Sequence, residues 1–123
     1  AGIVVAGSFI IGLPGETDET VMHSIKLAQE LGLYSVTFPI AIPFPGTHLR
    51  QQALNGEHGL RLLTDDWNDY DKQYPGVMES VSMPIGRRLE LQKIAYELNP
   101  KNKIEDYIKN LSMRQQTETA GCI

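Results

Sequence analysis

The residues best placed to bind a ligand lie in two short segments, 12–16 and 40–47. The first reads Gly-Leu-Pro-Gly-Glu and follows an apolar stretch that starts at Ile3. It combines a tight turn, one carboxylate and the start of a helix, whose N–H groups can bind a polar ligand group. The second segment follows another apolar stretch. Because ligands bind where parallel strands end, the two segments predict one shared rim.

Other chemically capable side chains form weaker patterns. His48 and His58 could form a metal pair with a carboxylate from Glu57, but no further ligand has suitable spacing. The acidic run 65–71 lacks the glycine and final glutamate of a calcium-binding loop and predicts a solvated turn. Trp67, Tyr70 and Tyr74 could cover a substrate, although core packing is the favoured interpretation. His23 is expected to face solvent. The sequence therefore assigns no catalytic and no metal-ligating residue within this chain.

Composition favours a single soluble globular domain. The 123 residues are 41% hydrophobic and 21% charged, with a net charge of −4 and no basic cluster, which argues against nucleic acid as a partner. No apolar run approaches the length of a membrane span. A signal peptide is not expected either, because residues 1–5 lack a basic region and a cleavage site. The single cysteine, Cys122, allows neither an internal disulfide nor a cysteine-based metal site, and is expected to be an exposed thiol. A cytoplasmic location is predicted.

The elements that would position the rim form a βαβ unit. Residues 3–12 predict a strand that is buried on both faces, and residues 34–42 predict a second strand in which Pro39 imposes a bulge or an edge. Between them, Thr17 or Asp18 can cap a helix that ends at Gly32. Short connections make the two strands parallel. The predicted buried face of the helix comprises Val21, Ile25, Ala28 and Leu31.

The rest of the chain is predicted to be mostly helical. Thr47 caps a short helix that ends near Gly56, residues 57–63 form a loop, and residues 65–71 are irregular or one helical turn. A helix is predicted over 86–98 and a last one over 103–111, followed by a polar tail from Arg114. The inward positions of the first of these are Leu91, Ile94, Ala95 and Leu98.

Two parallel strands alone cannot bury both of their faces. The missing strands are expected to come from sequence outside this chain or from a second copy, so self-association is one predicted outcome. The start in mid-strand at Ala1 suggests a piece of a longer chain.

Both rim segments resemble the radical S-adenosylmethionine superfamily. The segments that carry the resemblance are 9–17 (Phe-Ile-Ile-Gly-Leu-Pro-Gly-Glu-Thr), which includes the residues around the first rim segment, and 40–47 (Ile-Ala-Ile-Pro-Phe-Pro-Gly-Thr). They are similar to the fifth and sixth strands of its (β/α) barrel. Asp66-Trp67 and Tyr70-Asp71 resemble the cobalamin-binding branch. The resemblance covers residues 3–98. It implies an α/β fold: a partial (β/α) TIM-like barrel fragment over 1–63, containing the parallel βαβ unit, followed by a mostly helical segment over 64–123.

The resemblance also implies a function. A [4Fe–4S] cluster, ligated by three cysteines outside this chain, would cleave S-adenosylmethionine reductively and start radical chemistry on an unknown small-molecule substrate. The partner is then the remainder of the parent barrel, the parent could carry cobalamin, and this chain alone is expected to be inactive. The cofactor-binding residues implied are Ile10, Ile11, Gly12 and Leu13, packed against adenine, and Ala41, Ile42 and Pro43, whose main chain meets its edge.

The sequence departs from the family pattern at three positions. Ser8 stands where the pattern has its first glycine, Gly15 stands where an acid is expected, and Glu16 follows one position late. Two alternative functions therefore stay open. One is a non-radical (β/α)-barrel enzyme or a nucleotide- or anion-binding module that uses the Gly12–Glu16 turn, and the other is an assembly module without chemistry.

Overall fold

The computed structural model describes residues 2–70 and 76–100. The predicted helix over 103–111, the tail with Cys122, and Tyr74 lie outside the described residues. The described elements, in chain order, are β1 (Ala6–Ser8), α1 (Asp18–Glu30), β2 (Ser35–Thr37), α2 (His48–Leu54), a 3-10 turn (Glu57–Gly59), β3 (Leu60–Leu62), a second 3-10 turn (Trp67–Asp69), β4 (Met78–Ser80) and α3 (Ile85–Leu98).

Strands β1 and β2 are parallel, which confirms the predicted βαβ unit. Ala6 pairs with Ser35 and Ser8 with Thr37. Pairing resumes after the strands, where the Ile11 N–H donates to the Pro39 carbonyl at 2.8 Å. Both strands are shorter than predicted. Pro39 has no N–H to donate, so the ladder is interrupted there and continues only as a bridge between Ile11 and Ile40.

Helix α1 begins and ends where its capping residues predict. The Thr17 hydroxyl accepts from the Thr20 N–H at 3.4 Å, and the Thr20 hydroxyl accepts from the Thr17 N–H at 2.9 Å. This reciprocal pair satisfies two of the unpaired donors at the helix start. Gly32 turns the chain at φ +59°. The prediction that Leu31 is buried is wrong: it follows the last helical residue and is 55% exposed.

One face of the β1–β2 ladder carries the main hydrophobic core. Ile11, Val36, Phe38 and Ile40 pack against α1 and against Leu91 and Ala95 of α3. The opposite face carries Ala6, Ser8, Ile10 and Thr37, which are exposed. The prediction that the first strand is buried on both faces is therefore wrong for the described residues, because no layer there covers the second face, on which Ile10 is 46% exposed.

An antiparallel hairpin replaces the loop predicted over 57–63. Strand β3 pairs with β4, with Leu60 opposite Ser80 and Leu62 opposite Met78. A second core lies beneath this pair and comprises Ala41, Ala53, Leu60, Val77 and Met78. The described fold is mixed α/β, and residues 2–70 and 76–100 do not form a closed barrel. The predicted division of the chain into residues 1–63 and 64–123 stays a prediction. Strands β3 and β4, which pair with each other, lie on opposite sides of it.

The helices of the described residues are all too short or too polar to cross a membrane.

Glu79 joins the β3–β4 hairpin to the start of α3. Its carboxylate accepts from the Arg61 Nε at 2.7 Å and from the backbone N–H of Ile85 at 2.9 Å. Ile85 is the first residue of α3, so Glu79 satisfies a donor that the N-cap residue, Pro84, leaves unpaired. The hydrogen bond from Ile85 and then the one from Arg61 lower the pKa of Glu79 below its ordinary value.

We expect Glu79→Gln to lower the free energy of unfolding by about 1–2 kcal/mol at pH 7, because hydrogen bonds to a charged acceptor are lost. The folded-state pKa of Glu79 lies below its unfolded-state pKa, so its contribution is present at neutral pH. That contribution is lost as pH falls through the folded-state pKa. Urea unfolding at neutral and acidic pH should therefore show a difference between wild type and variant that shrinks on acidification.

Glu97→Gln is the matched control for Glu79→Gln. Glu97 is exposed on α3 and approaches Lys93 only at 4.0 Å, so its loss should change stability by less than about 0.5 kcal/mol. A Glu79→Gln effect that is independent of pH would contradict the assigned charge interaction.

Candidate functional site

The two predicted rim segments lie side by side at one edge of the structure. The Ala41 N–H donates to the Ile11 carbonyl at 2.8 Å, immediately before both chains leave the ladder. Because the strands are parallel, their carboxyl ends are adjacent. The structure thus brings residues 10–13 next to residues 41–43.

The seven sequence-predicted site residues differ in how accessible they are. Ile10 is 46% and Leu13 is 44% exposed, whereas Ile11 is 2% exposed and belongs to the main core. Gly12 is buried. In the second segment, Ala41 and Pro43 are buried and Ile42 is half-buried. The open apolar surface of this site therefore consists of Ile10 and Leu13.

Three of the four main-chain N–H groups of the Gly12–Glu16 turn are already paired within it. One Glu16 carboxylate oxygen accepts from the Gly12 N–H at 2.6 Å and from the Leu13 N–H at 3.1 Å. The Glu16 N–H in turn donates to the Leu13 carbonyl at 3.1 Å. Glu16, which the sequence left without a definite role, therefore closes the turn.

This arrangement does not suit an anion. The two N–H groups that a phosphate would need already bind a carboxylate, whose charge would repel a second anion. Of the next donors, around the start of α1, the N–H groups of Thr17 and Thr20 are already paired with each other's hydroxyl groups. The geometry thus argues against the anion-binding use of this turn.

The second segment retains unpaired main-chain groups. Within the described residues, neither the Ile42 N–H nor the Ala41 carbonyl has a hydrogen-bond partner. The Ile42 carbonyl accepts from Phe44 at 3.0 Å, and the Pro43 carbonyl accepts from Arg50 at 3.4 Å. One donor and one acceptor on adjacent residues therefore stay available at this edge.

Arg50 organises a cluster of aromatic residues beside the second segment. Its Cζ lies 4.8 Å from the ring centroid of Trp67 and 5.6 Å from that of Tyr70. Its Nη1 donates to the Tyr70 hydroxyl at 2.7 Å. Core packing is confirmed for Tyr70, which packs against the second core, and is wrong for Trp67, which is 56% exposed beside a cleft of about 550 Å³. The guanidinium face accounts for this position, since it supports the indole ring without enclosing it.

Metal-ligand geometry is not found in the described part of the chain. Residues 2–70 and 76–100 contain no group of three histidine, cysteine, aspartate or glutamate side chains that could hold an ion. The predicted helical turn in the acidic run is present as the 3-10 turn Trp67–Asp69.

Arg88 is the site-adjacent residue that sequence reasoning missed. Its side chain is fully buried and lies against Gly12. The only signal for it was spacing: residue 88 falls on the same face of α3 as the core residues Leu91 and Ala95.

A comparison with curated proteins finds one similar to this chain, named "Uncharacterized methyltransferase PH0819", from Pyrococcus horikoshii. The two are 36% identical over 111 residues, which cover 89% of this chain and 24% of the relative. The chain therefore spans about a quarter of the length of the curated relative it matches. No family model matches the chain. No solved structure matches it.

Proposed function

We propose that this chain is part of an S-adenosylmethionine-dependent methyltransferase of the radical S-adenosylmethionine type, and that it forms one wall of the adenosine site. The supporting observation is the shared edge where both parallel strands end, with exposed apolar side chains on one strand and unpaired main-chain groups on the other. The name of the 36% identical relative supports the methyltransferase part of the proposal. The resemblance of the two rim segments supports the radical part.

The proposed contacts follow the chemistry of adenine. Its faces are flat and apolar, which suits the exposed side chains of Ile10 and Leu13. Its edge carries one amino donor and ring-nitrogen acceptors, which suit the Ala41 carbonyl and the Ile42 N–H. Ile11, Gly12 and Pro43 are buried and would shape the wall from beneath.

The cluster is assigned to another part of the protein. The described residues offer no set of three ligands, and the chain contains one cysteine, so they do not fit a [4Fe–4S] cluster. Nothing in the described residues supports a cobalamin contact either. When bound, the cluster would supply the electron that cleaves S-adenosylmethionine. This chain would hold the adenosine end and exclude water from it.

The unpaired edge of β1, with the residues that precede this strand, would meet the remainder of the parent barrel. Ile3, Val4 and Val5 are 79%, 41% and 53% exposed, and β1 is paired on one side only within the described residues. A neighbouring strand would satisfy its second edge and cover these side chains.

The decisive experiment uses the intact protein, reconstituted anaerobically with iron and sulfide and mixed with S-adenosylmethionine and a strong reductant. We expect a reducible cluster and release of methionine and 5′-deoxyadenosine, the products of reductive cleavage of the C5′–S bond. If the protein binds S-adenosylmethionine and transfers its methyl group in the absence of iron, the radical mechanism is contradicted, whereas the assignment as a methyltransferase is not. Absence of S-adenosylmethionine binding would contradict both.

A further inference from the structure

Arg88 is a buried cation without a direct carboxylate partner in the described part of the chain. Its side chain is 0% exposed. The Nε donates to the Met83 carbonyl at 3.0 Å and Nη2 donates to the Ser80 hydroxyl at 3.2 Å. Within the described residues Nη1 has no hydrogen-bond partner. Burial lowers the pKa of this guanidinium, and the charges of Glu16 and Glu79 offset part of that effect.

The guanidinium lies directly on the main chain of Gly12. A Cβ built on Gly12 would fall 2.6 Å from the Arg88 Cζ and closer still to Nη1, so only glycine permits this approach. Gly12 is also the residue whose N–H binds the Glu16 carboxylate at 2.6 Å. One residue at the rim, Gly12, is therefore contacted by a buried cation and by a carboxylate.

The loop before α3 makes a second contact with the same turn. The Ser82 hydroxyl donates to the Glu16 carbonyl at 3.3 Å. Ser80 and Met83, which hold the guanidinium, also hydrogen-bond each other through their main chains. The segment that contains β4 and α3 is thus attached to the rim through the Arg88 guanidinium and through the Ser82 hydroxyl.

Stability alone does not explain an arginine at this position. A buried charge with an unpaired donor costs free energy, and an apolar side chain of similar volume is often as stable or more so. What a planar guanidinium with fixed donors adds is a defined geometry. Here the guanidinium would define the geometry of the main chain at Gly12, which lies between the exposed residues Ile10 and Leu13.

We propose that Arg88 is a positioning residue for the adenosine site: held by Met83 and Ser80, it fixes the main chain of Gly12 and thereby sets the positions of Ile10 and Leu13. This inference rests on the proposed function, because the ligand is the one proposed there. Its structural part, the fixing of the turn, can be measured without any ligand.

The test compares Arg88→Met with wild type in the intact protein, by hydrogen–deuterium exchange of peptides that cover residues 9–16. We expect exchange in this segment to rise about tenfold while exchange in α1 and α3 stays unchanged. We expect the affinity for S-adenosylmethionine to fall about tenfold, since the apolar contacts lose their fixed geometry. The control is Lys93→Met, which removes one charge from an exposed position of the same helix and should change neither quantity.

Three results would overturn the inference. The first is that Arg88→Met exchanges over residues 9–16 at the wild-type rate. The second is that its exchange rises equally throughout the core. The third is that its turn exchanges faster while its affinity for S-adenosylmethionine is unchanged. If Arg88→Met does not fold, Arg88→Lys replaces it, because lysine keeps the charge but cannot bind Met83 and Ser80 together. If wild type does not bind S-adenosylmethionine, the proposed function fails, while the exchange comparison still decides whether Arg88 fixes the turn.

Discussion

Gly12→Ala is expected to lower the free energy of unfolding by about 3 kcal/mol, from backbone strain and steric overlap together. The backbone of Gly12 has φ +91°, a conformation that disfavours any side chain. The added methyl group would also overlap the Arg88 guanidinium, whose Cζ lies 2.6 Å from the ideal Cβ position. Arg88 cannot retreat, because Met83 and Ser80 hold it in the core. Urea unfolding followed by circular dichroism measures the effect.

Gly15→Ala separates the two contributions. Gly15 lies in the same turn with φ +77°, but a Cβ there would meet no atom within 4 Å. Its replacement should therefore cost only the strain, about 1 kcal/mol. Equal effects of the two substitutions would show that the close approach of Arg88 to Gly12 does not constrain the turn.

The helix boundaries could be predicted because their signals are local. Thr17 and Thr47 accept hydrogen bonds from N–H groups three residues ahead, and Gly32 ends the first helix, as their residue types indicate. Such contacts depend on a few consecutive residues and are therefore visible in the sequence. The error at Leu31 has the opposite origin: its backbone keeps helical geometry at the C-cap, but burial depends on packing partners that lie elsewhere in the sequence.

The β3–β4 pair could not be predicted because its stabilising contacts are distant in sequence. Each strand has three residues, too few to show an alternating pattern. Leu60 and Met78 are buried only because the hairpin packs on Ala41 and Ala53. Tertiary packing of this kind overrides weak local preference.

The candidate site was predictable in position and less so in detail. The order of elements fixes which strand ends lie together, so residues 10–13 and 41–43 could be placed at one edge. Strand alternation shows that Ile10 and Ile11 face opposite ways, but only the packing of α1 and α3 decides which of them is covered. Arg88 was obscured by its own charge, since arginine on a helix normally indicates a solvent-facing position.

The exposed pair Ile10 and Leu13 leads to the prediction with the largest expected functional effect. Replacing both with glutamine in the intact protein should weaken binding of S-adenosylmethionine about a hundredfold, because each loses an apolar contact worth about 1.5 kcal/mol. Isothermal titration with S-adenosylmethionine or S-adenosylhomocysteine measures the loss. Folding should be little affected, since both side chains are nearly half exposed and neither belongs to a buried core cluster.

Leu27→Gln is the matched control for the double substitution. Leu27 is 41% exposed, similar to Leu13, but lies within α1 rather than at the strand exits. It should leave the affinity unchanged, which would show that replacing an exposed leucine with glutamine elsewhere on the surface does not by itself weaken binding. If the double variant melts like wild type and binds the cofactor equally well, the adenosine does not rest on this wall.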